Sequence, residues 1–169
     1  PLAKRLGGKV EFKDVSFAYQ GAEEPVLQGI TFTALPGQTT AVVGSTGSGK
    51  STLVNLIPRF HDVTHGKILV DGADVRTMAQ KDLRSRIGYV SQKATLFSGS
   101  VEENIAYGMT DADHAEVVHA AEVAQAADFI NQLQKKFESP VAQAGANLSG
   151  GQKQRLAIAR ALAKQPDIY

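Results

Sequence analysis

Residues 44–51 read Gly-Ser-Thr-Gly-Ser-Gly-Lys-Ser, a match to G-x-x-x-x-G-K-[ST]. Glycines at these intervals let the backbone bend until successive N–H groups point into one anion-sized cup. Lys50 adds a point charge suited to the outer phosphates of a nucleotide, and the Ser51 hydroxyl suits a magnesium ion. Ala41-Val-Val43 precedes the loop and Leu53-Val-Asn-Leu-Ile57 follows it, which a flexible Gly/Ser linker would not show. The pattern implies nucleotide binding. A second cluster, Leu148-Ser-Gly-Gly-Gln152, precedes a stretch carrying Lys153, Arg155 and Arg160. It reads either as a Ser N-cap with a glycine-rich first turn or as a second anion site at a helix start. If both helices pack on one sheet, a single chain cannot readily aim both clusters at one phosphate chain. The anion reading therefore calls for two copies head to tail, each covering the nucleotide of the other.

The elements that must position these clusters follow from periodicity. Val10 and Phe12 alternate, then Val15, Phe17 and Tyr19 alternate in the opposite phase, so two strand pieces with a kink near Asp14 are predicted. A second strand is predicted over 26–35, and Pro36-Gly37 is a turn signal. Thr39–Val43 is short and β-branched, as a buried strand feeding the glycine loop would be. A helix follows the loop and ends at Pro58. A strand is predicted over 67–70, stopped by Asp71-Gly72, then a short helix near 80–84 and a strand over 87–91. Ser100-Val-Glu-Glu103 is a capping-box pattern, 111–135 is helical, 136–147 is a loop, and a last helix spans about 150–163. Asp167-Ile-Tyr169 has the look of a further strand beginning.

Composition narrows the class. The chain has 169 residues, 43% of them hydrophobic and 21% charged, which is ordinary for one globular domain and excludes wholesale disorder. Eighteen Lys and Arg against seventeen Asp and Glu give a net charge of +1, so no global basic field points to nucleic acid. Cys is absent, which excludes disulfides and thiolate metal sites. No apolar run approaches the roughly 18 residues of a membrane helix, and Pro1–Gly8 lacks the apolar core of a signal peptide. His61, His65, His114 and His119 fit surface or turn positions, with no ligand spacing linking them.

From about residue 10 onward the chain resembles the nucleotide-binding domain of ABC transporters. The resemblance rests on 44–51, Leu148–Gln152, Gln154-Arg-Leu-Ala-Ile-Ala-Arg-Ala-Leu162, Tyr89-Val-Ser-Gln92, and Phe97-Ser-Gly-Ser-Val-Glu-Glu-Asn-Ile-Ala-Tyr-Gly108, the last similar to exporter-type members. It implies an α/β fold with a P-loop NTPase core over about 39–93, an antiparallel β subdomain over about 9–45 and a helical subdomain over 94–150. Residues 151–169 would return to the core. It implies ATP and Mg²⁺ as ligands, with Gly44, Ser45, Thr46, Gly47, Ser48, Gly49, Lys50, Ser51 and Thr52 on the nucleotide and Tyr19 stacked on the adenine. Gln92 would position water and, with Ser51, Mg²⁺, while Lys50 would act in catalysis. Ser149, Gly150, Gly151 and Gln152 would act in trans on the ATP of a partner. The partners implied are a second ATPase domain and a transmembrane domain, with no nucleic acid, at the cytoplasmic face of the cell membrane.

The family continues into a Walker B strand with a Mg²⁺-ordering Asp and a catalytic carboxylate, and later a switch His. None is present, and Asp167 precedes that strand. The expectation is a domain truncated before Walker B that binds ATP weakly alone, hydrolyses it near background and self-associates. Ser139-Pro-Val-Ala-Gln-Ala-Gly145 departs from the charged loop common in exporters, with Gln143 and Ala144 at the charged pair, a feature closer to one half of a heterodimeric exporter. A GTPase is disfavoured because N-K-x-D and D-x-x-G are absent, and a phosphate-loop kinase has no use for Leu148–Gln152. The short spacing between the clusters excludes DNA-repair types. A translation-factor type of ABC ATPase remains the alternative, and 97–108 weighs against it.

Overall fold

The computed structural model describes residues 7–109 and 111–169. Pro1–Leu6, part of the stretch read as lacking a signal peptide, lie outside the described residues. The chain forms two compact units, one up to Arg86 together with Ile168, the other Ile87–Asp167 with Tyr169.

The first unit is built on an antiparallel sheet. Strands β1 (Val10–Phe17), β2 (Leu27–Ala34), β3 (His65–Val70) and β4 (Ala73–Asp74) lie in the order β2-β1-β3-β4. The phase flip in β1 is a bulge: its register shifts between Phe12 and Val15 against β2 and between Lys13 and Ser16 against β3, and Asp14 has φ 49°. The bulge lets Phe12, Val15 and Phe17 all face inward, each almost fully buried. Phe12 stacks on Phe32 of β2 with ring centroids 4.6 Å apart. Gly66 of β3 crosses the bulge so closely that a Cβ there would lie 2.2 Å from the Asp14 carbonyl oxygen, so only glycine fits. Asp71 (φ 48°) and Gly72 (φ 85°) form the two-residue turn between β3 and β4, the left-handed pair that such a hairpin requires.

Helix α1 (Lys50–Leu56) follows the glycine loop and buries Thr52, Leu53 and Leu56. Helix α2 (Gln80–Ser85) seats Leu83 in the core. Two strands predicted from sequence do not form. Thr39–Val43 is irregular, with Val43 89% exposed, and residues 88–91 are irregular, with Tyr89 and Val90 at the surface. β-branched composition favours a strand only where a neighbour completes the ladder, and no described residue pairs with 39–43. Near the C-terminus, where a further strand was expected to begin, Ile168 forms an isolated bridge and donates its N–H to the Arg86 carbonyl at 3.0 Å.

The second unit is helical. A two-residue strand β5 (Gly99–Ser100) leads into α3 (Val101–Ala106), followed by α4 (His114–Val123), α5 (Ala127–Gln132), strand β6 (Pro140–Val141) and α6 (Gly150–Ala163). Both arms of the capping box at Ser100 are present: Glu103 N–H donates to Ser100 Oγ at 3.0 Å, and Ser100 N–H to Glu103 Oε2 at 2.6 Å. The helical stretch 111–135 is two helices because Gln125 turns left-handed (φ 56°), closing α4 and folding Phe129 and Ile130 of α5 into the core. The expected loop at 136–147 contains β6, which pairs with β5, and short 3₁₀ turns at Lys136–Glu138 and Gln143–Gly145. Val117, Ala120, Ala121 and Ala124 mark one face of α4, and Leu156, Ala159 and Ala163 one face of α6. The small alanines let α6 lie close against α3 and α4 in one core with Val101 and Ile105.

Candidate functional site

In the first unit the glycine loop wraps around the root of Lys50. The ammonium donates to the carbonyls of Gly44 (2.9 Å) and Ser45 (2.6 Å), and Nζ lies 3.5 Å from Ser48 Oγ. Gly47 and Gly49 both have φ 85°, the left-handed conformation that glycine adopts without strain. A Cβ on Gly49 would meet Leu27 Cδ2 at 2.9 Å and Val26 Cγ1 at 3.1 Å, so the loop is pressed onto the start of β2. A Cβ on Gly47 would meet nothing within 4 Å, and residues 41–48 are exposed, so the loop lies open to solvent. Helix α1 starts at once, with Leu53 N–H donating to the Gly49 carbonyl at 2.8 Å. The Lys50 ammonium and the exposed loop beside it suit a phosphate chain. A phosphate oxygen is a stronger acceptor for an ammonium than the loop carbonyls that Lys50 engages. Ser51, exposed on the first turn of α1, suits the metal of a metal–nucleotide complex, since Mg²⁺ is held chiefly by phosphates and water with few protein ligands.

Tyr19 lies just past β1, beside this helix. Its hydroxyl is 3.0 Å from Thr52 Oγ1, and its ring meets Phe17 edge-on at 4.9 Å and His61 edge-on at 5.4 Å. The ring is 41% exposed. One unit thus brings together Tyr19 and the whole of Gly44–Thr52. His61, read from sequence as a surface or turn residue, is exposed but belongs to this aromatic group. Its isolated position gave no pattern from which to find it.

Gln92 and the second glycine cluster belong to the other unit. Gln92 is exposed on a bend closed by Ser91 Oγ, which donates to the Lys93 carbonyl at 2.7 Å. Ser149 is the N-cap of α6: Gln152 N–H donates to Ser149 Oγ at 3.2 Å, and Ser149 N–H to Gln152 Oε1 at 2.9 Å. Gly150 and Gly151 are exposed, and a Cβ on either would meet nothing within 4 Å. The two sequence readings of this cluster are therefore compatible, because the cap orders the turn while the glycines leave its amides open to approach.

Two of the cations after Ser149 serve the fold. Arg155 donates to the Gln125 carbonyl at 3.1 Å and fastens the α4–α5 corner. Arg160 donates to the carbonyls of Asn104 (2.7 Å) and Thr95 (2.9 Å) and to Asn104 Oδ1 (2.9 Å). Asn104 is 2% exposed, and its Nδ2 donates to the carbonyls of Phe97 and Ser100. The guanidinium also faces the Phe97 and Tyr107 rings at 5.1 and 5.7 Å. Burial pulls Arg160 below its ordinary pKa. This group anchors the segment just after Gln92 to the helix that carries Ser149.

The family model for ABC transporters matches residues 27–169. The chain belongs to the ABC transporter family. It is 48% identical over 166 residues to an ATP-dependent lipid A-core flippase of Aromatoleum aromaticum, covering 98% of this chain and 28% of that protein. It is 50% identical over 164 residues to the β-(1→2)glucan export ATP-binding/permease protein NdvA of Rhodopseudomonas palustris, covering 97% and 27%. A solved bacterial Atm1-family ABC exporter with ATP bound superposes with a TM-score of 0.90 at 42% identity, covering 95% of this chain and 28% of that one. The chain thus spans just over a quarter of the length of these relatives, and within that span it has the P-loop ABC ATPase fold with its antiparallel β and helical parts. Among the described residues no helix is long and apolar enough to cross a membrane.

Proposed function

We propose that this chain is the ATP-binding part of the ATPase domain of an exporter-type ABC transporter. The observation that carries the reading is the convergence in one unit of Lys50, folded over a glycine loop, with Tyr19, tied to the helix that Lys50 begins. The amides of Gly44, Ser45, Thr46, Gly47, Ser48 and Gly49 surround the outer phosphates of ATP, Lys50 neutralises them, and Thr52 and Tyr19 define the nucleoside end. Mg²⁺, carried in with the nucleotide, spreads the phosphate charge; Ser51 and Gln92 are the residues that would hold it. Gln92 also orients water. Ser149, Gly150, Gly151 and Gln152 reach the γ-phosphate of a partner copy, so that ATP joins two ATPase domains and hydrolysis releases them. In the complete domain, 9–45 form the antiparallel β subdomain, 39–93 the P-loop core and 94–150 the helical subdomain, with 151–169 returning to the core. The second partner is a transmembrane domain, at the cytoplasmic face of the membrane, through which a substrate is exported. One named relative is a flippase and the other an export protein, which favours transport over the translation-factor alternative.

The test compares the full-length protein with the isolated 169-residue chain. The full-length protein is expected to bind ATP saturably and hydrolyse it only with Mg²⁺. The isolated chain is expected to stay at background turnover, since no residue in it is assigned as the base that activates water. Failure of the full-length protein to bind ATP, or Lys50-dependent turnover by the isolated chain, contradicts the reading.

A further inference from the structure

Helix α1 begins at Lys50 and has seven residues, too few to be stable by itself in water. Its two ends therefore decide where Lys50 sits. At the first end the glycine loop is pressed onto β2. At the far end, Phe60 N–H donates to the Asn55 carbonyl and Arg59 N–H to the Leu56 carbonyl, both at 3.1 Å, the crossed pair that closes a helix. Arg59 takes the left-handed conformation that such a closure needs (φ 54°), which few residues other than glycine adopt. The carbonyls of Pro58 and Arg59 lie past the closure and need donors from elsewhere. The last turn, Val54-Asn-Leu56, carries no cation to balance the negative end of the helix dipole.

Arg84 of α2 meets both needs. Its Nε donates to the Pro58 carbonyl and its Nη2 to the Arg59 carbonyl, each at 3.1 Å, across 26 and 25 positions of sequence. The guanidinium also faces the Phe60 ring at 5.3 Å. Leu83, fully buried beside it, seats α2 in the core, so the fork is delivered from a fixed helix. From its other side the turn is held by Arg59 itself, which donates to Asp62 through Nε (2.6 Å) and Nη2 (3.2 Å) and to the Arg76 carbonyl through Nη1 (3.2 Å). Both bonds of Arg84 go to backbone, so what it fixes is the path of the chain at the end of α1.

We propose that Arg84 is a positioning residue for the phosphate loop: by gripping the far end of α1 it fixes the place of Lys50 at the near end. This rests on the nucleotide reading above and adds to it a residue of a different helix. Because the grip acts on the helix that Lys50 begins, it serves any ligand that Lys50 serves, with or without a base.

The experiment titrates ATP and inorganic tripolyphosphate into the full-length protein and into its Arg84→Leu and Arg84→Lys forms, reading the dissociation constant and the number of sites together. Arg84→Leu is expected to weaken both ligands by the same factor, roughly 3- to 10-fold, with the number of sites per folded protein unchanged. Arg84→Lys, which keeps the charge without the planar fork, should fall between Arg84→Leu and the wild type. A purely structural role would instead lower the number of sites or the melting temperature and leave the dissociation constant of the folded protein at its wild-type value; that result overturns the proposal. A loss for ATP alone also overturns it, since the effect would then lie at the nucleoside end and not on the Lys50 helix. If Arg84→Leu does not fold, Arg84→Lys decides, and a wild-type dissociation constant in that form overturns the proposal. If the wild type bound neither ligand, the nucleotide reading would fall, and this inference with it.

Discussion

Replacing Arg160 with leucine is expected to destabilise the helical unit by about 3 kcal/mol, the scale on which a buried hydrogen-bonded charge network is lost. Three acceptors each lose a hydrogen bond at once: the carbonyls of Thr95 and Asn104, and the Oδ1 of Asn104, which keeps the N–H of Phe97. Asn104 is almost fully buried, so water cannot readily replace the guanidinium there. The Phe97 and Tyr107 rings, 4.4 Å apart, lose the cation they both face. Arg160→Lys keeps the charge but not the planar fork and should lose an intermediate amount. Arg155→Ala, which gives up one exposed bond, should stay within about 1 kcal/mol of the wild type. Urea unfolding followed by far-ultraviolet circular dichroism reads all three, and the order Arg155→Ala, Arg160→Lys, Arg160→Leu is the expected order of falling midpoints. An Arg160→Leu midpoint equal to that of the wild type would mean that the network contributes nothing.

Lys50→Ala is the second large effect, and it acts on binding rather than folding. The Lys50 ammonium sits on an exposed loop, bonded to carbonyls that water can serve in its absence. Stability should therefore move by less than about 1 kcal/mol. ATP affinity should fall about 10- to 100-fold, equivalent to roughly 1.5–3 kcal/mol for charge-assisted contacts to phosphate. Tripolyphosphate should lose the same factor, because Lys50 acts on the phosphates and not on the base. Equilibrium titration of both ligands checks this, and an unchanged ATP affinity would remove Lys50 from the site.

The features legible in the sequence were those set by near neighbours. The Gly44–Ser51 loop, the capping box at Ser100 and the span of α6 each depend on residues a few positions apart. The bulge at Asp14 was legible because a change of phase in Val10, Phe12, Val15 and Phe17 has one local cause. The features that escaped depend on distant partners. Arg160 meets Asn104 across 56 positions, and Tyr19 meets Thr52 across 33. His61 becomes part of the aromatic group only after β1 and the chain beyond α1 are placed side by side. Thr39–Val43 shows the opposite failure: its composition suits a buried strand, yet a strand exists only with a neighbour to complete its hydrogen bonds. The capping role of Ser149 was legible as one of two alternatives, and the geometry accommodates both.

In the function proposed above, one nucleotide is gripped by two copies, by the Lys50 loop of one and the Ser149 turn of the other. The direct measurement places a photocrosslinker at position 149 of a full-length chain that also carries Lys50→Ala, and supplies radiolabelled ATP. Label is expected on that chain only when wild-type chains are mixed in, because only they hold the nucleotide that its Ser149 turn can reach. Equal labelling without the wild-type chain, or none in the mixture, would contradict the claim.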